Sequence, residues 1–265
     1  MSPLQESKQS PSQPQLMIGS YIGKLLRDNF GKGPESVYVS MGYTFITIYL
    51  RNFLTPSERV LLEQDQDMII LQMREKLMET LVPEMKTYIS VVTGIRPREM
   101  YFDWNLHNRS GMIVGITSEP FKEAADIQEV YENKQLLEYE IVKISQQAQK
   151  APEEIYSCLL NPRTLVVVRN GILVRIEKEL IRLGHADLLK RVKRNLEKSY
   201  LHNNSAFESL LSKRVIDILV DWDFVLDKSV ILFILNPKPP SGGNVMDMVD
   251  TDYEPNMSRN GMQDP

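Results

Sequence analysis

Apolar and polar residues alternate over a stretch near the amino-terminal end of the chain. Thr44, Ile46, Ile48 and Leu50 fall on one face of an extended segment, and Phe45, Thr47 and Tyr49 on the other. β-branched and aromatic residues in this period predict a strand. Val37 to Met41 reads the same way, with Gly42 as the turn between the two, so an antiparallel hairpin is expected. Thr55-Pro56-Ser57-Glu58 then sets a helix start: a Thr at the cap, a Pro in the first turn, and a Glu whose carboxylate reaches back to the cap amide.

Upstream, Ile18, Ile22, Leu25, Leu26 and Phe30 recur at helical spacing, and Gly31-Lys32-Gly33 ends that helix. Downstream, a short helix to about Glu63 leads into a long one whose apolar face is Ile70, Met73, Leu77, Leu81, Met85, Tyr88 and Val92. Pro83 predicts a kink or break within it. Met100, Phe102 and Trp104 alternate with Glu99, Tyr101 and Asp103, and Met112 to Ile116 follows a turn as a further strand. The pattern is helix, two strands, two helices, two strands.

The second half of the chain repeats the first. Pro34, Glu35, Tyr38, Arg51, Asn52, Arg96, Asp103 and Trp104 recur 118 positions later as Pro152, Glu153, Tyr156, Arg169, Asn170, Arg214, Asp221 and Trp222. One residue of slippage brings Glu58, Leu61 and Leu77 onto Glu177, Leu180 and Leu196. Constant spacing with constant order marks an internal duplication. The second copy has lost the Thr-Pro cap and the glycine exit, and carries His202-Asn203-Asn204-Ser205 near the place of Pro83, so both long helices are expected to break there. The fold expected is α+β: two tandem helix-hairpin-helix-helix-hairpin units with antiparallel sheets, packed as a pseudo-dimer. The divisions are a disordered lead over 1–15, a first unit over 16–118, a linker over 119–133, a second unit over 134–237 and a disordered tail over 238–265.

Composition narrows the function. With 42% hydrophobic and 25% charged residues the chain reads as a soluble globular protein, and a net charge of −4 argues against nucleic-acid binding. A single cysteine, Cys158, gives no disulfide framework and suggests a reducing compartment. The lead is not a signal peptide, and no run approaches the roughly 18 apolar residues of a membrane span. His107, His185 and His202 are scattered, so neither a metal site nor a catalytic pair is suggested. Lys32 between two glycines lacks the spacing of a phosphate loop and reads as part of a helix exit. No cofactor and no catalytic residue are expected.

Two constellations remain. Glu99 and Asp103 share a strand face, as do Asp217 and Asp221 in the second copy, and a twofold packing of the units would gather four carboxylates able to hold a cation. A solvated sheet face explains them as well. The helical segment from Thr55 to Thr80 has three basic against six acidic residues, whereas Arg175 to Lys198 has eight against four. Arg182, Lys190, Arg191, Lys193 and Arg194 then form either a solvated face or a surface for an acidic partner or an anionic membrane.

The run Phe30-Gly31-Lys32-Gly33-Pro34-Glu35-Ser36-Val37, the hairpin, and Leu50-Arg51-Asn52-Phe53-Leu54-Thr55-Pro56-Ser57-Glu58 with its long helix and Thr93-Gly94 resemble the MpsC-like family of small bacterial proteins. The match covers about residues 16 to 118, and the second unit joins through the duplication. Two units in tandem depart from the usual single one. The resemblance implies a cytoplasmic protein, peripheral to the inner membrane, that serves a sodium-linked membrane-potential system. Its partner would be a membrane complex of an ion or inorganic-carbon transporter, and homo-oligomerisation stays open. The resemblance carries over no catalytic residues. A small-ligand or cation sensor using the paired carboxylates is the alternative.

Overall fold

The computed structural model describes residues 11–122 and 127–236. Helix α1 (Gln13–Phe30) buries Ile18, Ile22, Leu25 and Leu26, the stripe its spacing predicts. It begins inside the stretch read as a lead, where the Ser12 amide donates to Gln15 Oε1 at 2.7 Å; residues 1–10 lie outside the described residues. Gly31 ends the helix at φ 77°, where its amide donates to the Arg27 carbonyl, so the exit is a left-handed cap. Strands β1 (Ser36–Gly42) and β2 (Phe45–Arg51) pair antiparallel. The turn is not at Gly42, which stays in the ladder opposite Phe45; the chain reverses at Tyr43 and Thr44, with Tyr43 at φ 49°.

Helix α2 (Pro56–Leu62) carries both halves of its cap: the Thr55 amide donates to Glu58 Oε2 at 2.8 Å and the Glu58 amide to Thr55 Oγ1 at 3.3 Å. Helix α3 (Asp67–Thr93) then runs unbroken through Pro83, which corrects the expected break. Pro83 and Glu79 both sit on the exposed face, where water can take the carbonyl that proline leaves without a donor. The buried face of α3 is also rotated from the one expected: Ile70, Leu71, Arg74, Glu75, Met78, Leu81, Met85 and Ile89 face inward, while Met73 is exposed. Strands β3 (Glu99–Asn105) and β4 (Ser110–Ile116) complete a sheet in the order β1-β2-β4-β3. Trp104 lies opposite Gly111, where an added Cβ would come within 2.4 Å of the indole, so only glycine leaves the ring its place.

The second unit repeats this with α4 (Lys134–Ala148), β5 (Glu154–Asn161), β6 (Thr164–Asn170), α5 (Arg175–Arg182), α6 (Ala186–His202), α7 (Ala206–Leu211), β7 (Arg214–Asp223) and β8 (Lys228–Asn236). Its sheet has the equivalent order β5-β6-β8-β7. The long helix does break here, at Asn203 to Ser205, which makes α7 a separate piece. The fold is α+β, with two four-stranded antiparallel sheets and seven helices among the described residues.

Three apolar cores divide the work. One lies between the first sheet and α1 and α3, and includes Ile22, Ile48, Met85 and Trp104. The second lies between the other sheet and its helices, and includes Ile141, Val167, Leu201 and Trp222. The third joins the units: Phe45, Tyr101, Met112 and Val114 pack against Cys158, Leu160, Val166, Leu219 and Leu232. Each sheet therefore buries one face on its own helices and the other on its neighbour. The outer strands also meet, β3 with β7 and β1 with β5. The connection between units is pinned at both sides of 123–126: the Phe121 amide donates to the Tyr43 carbonyl, and Gln128 exchanges two backbone hydrogen bonds with Leu159. The tail from residue 237 lies outside the described residues.

Replacing Thr55 by Ala removes the acceptor for the Glu58 amide and should cost about 1 kcal/mol of stability. The measurement is the urea midpoint; an unchanged value would mean that the cap does not hold the start of α2.

Candidate functional site

Strands β3 and β7 are each an outer strand of their sheet, so each presents backbone groups with no ladder partner on its own sheet. They run side by side without forming a ladder, and aspartates complete the contact. Asp221 Oδ2 accepts the Phe102 amide at 2.9 Å, and Asp103 Oδ2 accepts the Val220 amide at 3.0 Å. The four residues are two equivalent pairs of the duplication, so each unit offers the same carboxylate to the same amide of the other. Both aspartates are almost fully buried.

Buried carboxylates require cations, and α6 supplies them. Arg194 lies 3.0 Å from Asp103 and 3.6 Å from Asp221; Lys198 is 2.6 Å from Asp103 and Lys190 is 2.8 Å from Asp221. Burial works against the Arg194 cation, but Asp103, Asp221 and Glu75 outweigh it and raise its pKa. At Lys198 burial prevails over Asp103 and lowers the pKa. Glu75 of α3, the counterpart of Arg194, has its pKa raised by burial against the opposing pull of Arg194 and Lys190.

The two other carboxylates lie at opposite ends of the seam. Asp217 accepts from Asn105 at 3.0 Å and from the Ser110 and Tyr49 hydroxyls of the first unit, and lies 3.9 Å from His202. Glu99 takes Lys228 at 2.8 Å and the Tyr101 hydroxyl at 2.6 Å. The expectation that the four would gather as a cation site is thereby corrected. They are spread along the seam; Asp103, Asp221 and Glu99 face lysine and arginine side chains, and Asp217 is held by neutral donors and His202. Among the described residues no group of three or more His, Cys, Asp and Glu side chains is placed to hold a metal ion.

The basic face is corrected in the same way. Of Arg182, Lys190, Arg191, Lys193 and Arg194, only Arg182 is well exposed, and it is paired with Glu179. Arg191 lies 4.0 Å from Glu75 of the first unit, and Lys193 lies 2.9 Å from Glu177. The acidic partner that the charge pattern called for is largely the rest of the same chain.

Lys193 belongs to a second duplicated device. Glu58 and Arg74 form a fully buried pair at 2.7 Å in the first unit, with the Arg74 guanidinium 4.6 Å from the Trp104 ring and 4.7 Å from that of Phe53. Glu177, Lys193 and Trp222 occupy the equivalent places, with Lys193 5.7 Å from the Trp222 ring. Burial raises the Glu58 pKa, but Arg74 and the Thr55 bonds outweigh it and the net shift is downward. The second-unit cap keeps half its chemistry: the Val174 amide still donates to Glu177 Oε2 at 2.9 Å, while a valine side chain can return nothing. A Glu and a cation sixteen residues apart in both copies, at the 119-residue slip already seen for Glu58, was the signal that could have shown this pair.

Cys158 is buried between the units, and burial pushes its thiol pKa up to about 11, so it is packing and not a nucleophile. Another feature escaped the sequence reading. Ile69 and Met73 on α3, and Leu188, Val192 and Leu196 on α6, are between 38% and 54% exposed. With the half-buried Leu77 they form two i, i+4, i+8 stripes at equivalent positions. Lys76, beside Leu77, lies 3.7 Å from Asp187, beside Leu188, so one end of each stripe lies near the other.

A family model described as "Na+-translocating membrane potential-generating system (MpsC)" matches residues 12–119 and again 134–237. No curated protein and no solved structure matches the chain.

Asp103→Ala removes the acceptor of the Val220 amide and the nearest carboxylate of both Arg194 and Lys198 in a buried seam, and should destabilise the chain by about 3–5 kcal/mol; chemical denaturation reads it, and a loss under 1 kcal/mol would mean that the seam does not depend on the carboxylate. The Asp217 carboxylate raises the His202 pKa above its ordinary value. A raised histidine contributes stability below its unfolded pKa, near 6.5, and loses it as pH rises through the folded value. The stability difference between the protein and His202→Gln should therefore shrink from pH 6 to pH 8.5, and a difference that grows would reverse the assignment.

Proposed function

The chain belongs to the MpsC family, and we propose that it is a non-catalytic accessory or regulatory protein of a sodium-linked system that generates membrane potential. It works from the cytoplasmic side, by binding a membrane component of an ion or inorganic-carbon transporter. The family description supplies the system. No helix among the described residues is long and apolar enough to cross a membrane, so in this reading translocation falls to another component.

The observation that carries a binding role is the pair of exposed stripes on α3 and α6. Charges at neighbouring positions differ between the copies: Glu75 against Arg194, and Glu79 against Lys198. The apolar character of Ile69 and Leu188, of Met73 and Val192, and of Leu77 and Leu196 is retained in both. Exposed aliphatic side chains at repeated positions mark an interaction site, and a stripe at i, i+4, i+8 suits the apolar face of a partner helix. The cation-sensor reading has no comparable support, because Asp103, Asp221 and Glu99 already face lysine or arginine and Asp217 is held by Asn105, Ser110 and His202.

Met73→Glu with Val192→Glu tests this. Both side chains are exposed, so the fold should keep its urea midpoint within about 0.5 kcal/mol. The protein should recover a polytopic transporter subunit from detergent-solubilised native membranes, and the double variant should not. Equal recovery by both would remove the stripes from the interface. A solution mass that halves in the variant would assign them to a second copy of this chain instead.

A further inference from the structure

The cations of the seam and of the two duplicated ion pairs each face a carboxylate. A cluster at the end of α3, of the half-buried Lys86 and the exposed Arg96 and Arg98, does not. Gly94, at φ 76°, reverses the chain at the end of α3 and sends residues 95–98 back beside the helix. Arg96 and Arg98, both exposed, flank the buried Pro97 on this segment. They meet Lys86 from the last turns of α3. Together with Ile95, Ser118 and Glu119 these residues line an open cleft of about 600 Å³.

The three cations find only neutral partners. Lys86 Nζ donates to the Arg98 carbonyl at 2.6 Å and Arg96 Nη1 to Thr87 Oγ1 at 3.2 Å. None of the three has a carboxylate within ion-pair distance among the described residues. Glu119 supplies the one negative charge of the lining, against three positive. Burial first, and the Arg96 charge second, lower the Lys86 pKa; Asp223 and Glu99 oppose this more weakly. The cations thus repel one another with little relief from the protein. They are also not part of the repeated framework, since the second unit folds with Ser205 and Ile216 at the positions of Lys86 and Arg98, and retains only Arg214 for Arg96.

We propose that this cleft binds a phosphate group. Two guanidinium forks and an ammonium around one opening match the geometry and charge of a phosphate dianion. The apolar walls, Ile95 and Pro97, leave room for the organic part of a small phosphate ester or of a phospholipid headgroup. The chemistry is shared by the two sources, and experiment separates them.

The whole chain is titrated with inorganic phosphate, pyrophosphate and glycerol 3-phosphate against sodium chloride of equal ionic strength, with thermal midpoint and phosphorus NMR linewidth as readouts. In parallel it is sedimented with phosphatidylglycerol vesicles and with phosphatidylcholine vesicles. Saturable stabilisation by the soluble phosphates beyond that of chloride assigns a soluble ester. Sedimentation with the anionic vesicles alone assigns a headgroup. In either arm Arg96→Gln with Arg98→Gln should weaken binding at least tenfold. Arg98→Gln alone, at an exposed residue with no side-chain bond to lose, should weaken it severalfold with the midpoint of the free protein unchanged. Failure of both arms overturns the proposal, and so does binding that these variants leave intact.

Discussion

Two outer strands that meet without forming a ladder set the terms for this molecule. An unpaired strand edge is open to any other strand, and here the first unit's edge is closed by the second unit's through carboxylates instead of backbone carbonyls. Asp103 and Asp221 each take one amide of the opposite strand. This fixes register as well as contact, because a shift of one residue would turn each carboxylate away from its amide. It also buries two negative charges close to one another, a situation tolerable only with cations at hand. Arg194, between the two aspartates, answers that requirement, with Lys190 and Lys198 on its flanks.

The opposite charges of the two helical segments follow from this. Arg194 has Glu75 as its counterpart, Lys198 has Glu79 and Lys190 has Leu71. Two first units joined by the same seam would bring together two Asp103 and two Glu75 side chains with none of the cations of α6. Two second units would instead crowd two sets of those cations around two aspartates. Only the mixed pair balances. Divergence of charge after duplication, with the aspartates kept, specifies which unit pairs with which by disfavouring the like pairs.

The sequence made much of the scaffold legible. The alternating run at Thr44 to Leu50, the Thr55 cap, the Gly31 exit and the stripe of α1 are local signals with local causes, and each stands in the structure. The spacing of 118 residues exposed the duplication, which the family model matches twice. The shared faces of Glu99 with Asp103 and of Asp217 with Asp221 were also readable from the period of a strand. What lies opposite a face is not, and so a buried seam and a solvated sheet looked alike. The same blindness misplaced the inner face of α3. Helical periodicity assigns charged residues to water, whereas Arg74 and Glu75 point inward, one to a glutamate and three aromatic rings, the other towards the cations of α6. Lys190, Lys193 and Arg194 were read as an outward basic face for the same reason. Pro83 was misjudged from the other side, because a proline on the exposed face of a long, well-packed helix frees a carbonyl that water can satisfy.

A charge pattern alone therefore points to a partner without saying that the partner is outside the molecule. Here the seam consumes most of the positive charge of α6, and what remains outward on α3 and α6 includes apolar side chains at repeated positions. The two kinds of position answer to different constraints. Inside the seam, charge had to diverge between copies for the units to pair with each other. The outer stripes are partly exposed, and none of their six side chains belongs to the three apolar cores. Ile69, Met73 and Leu77 have nonetheless stayed apolar as Leu188, Val192 and Leu196. Retention of apolar side chains outside the three cores, beside divergence of charge inside the seam, is the physical reason to look for a partner on the stripes and not on the basic residues.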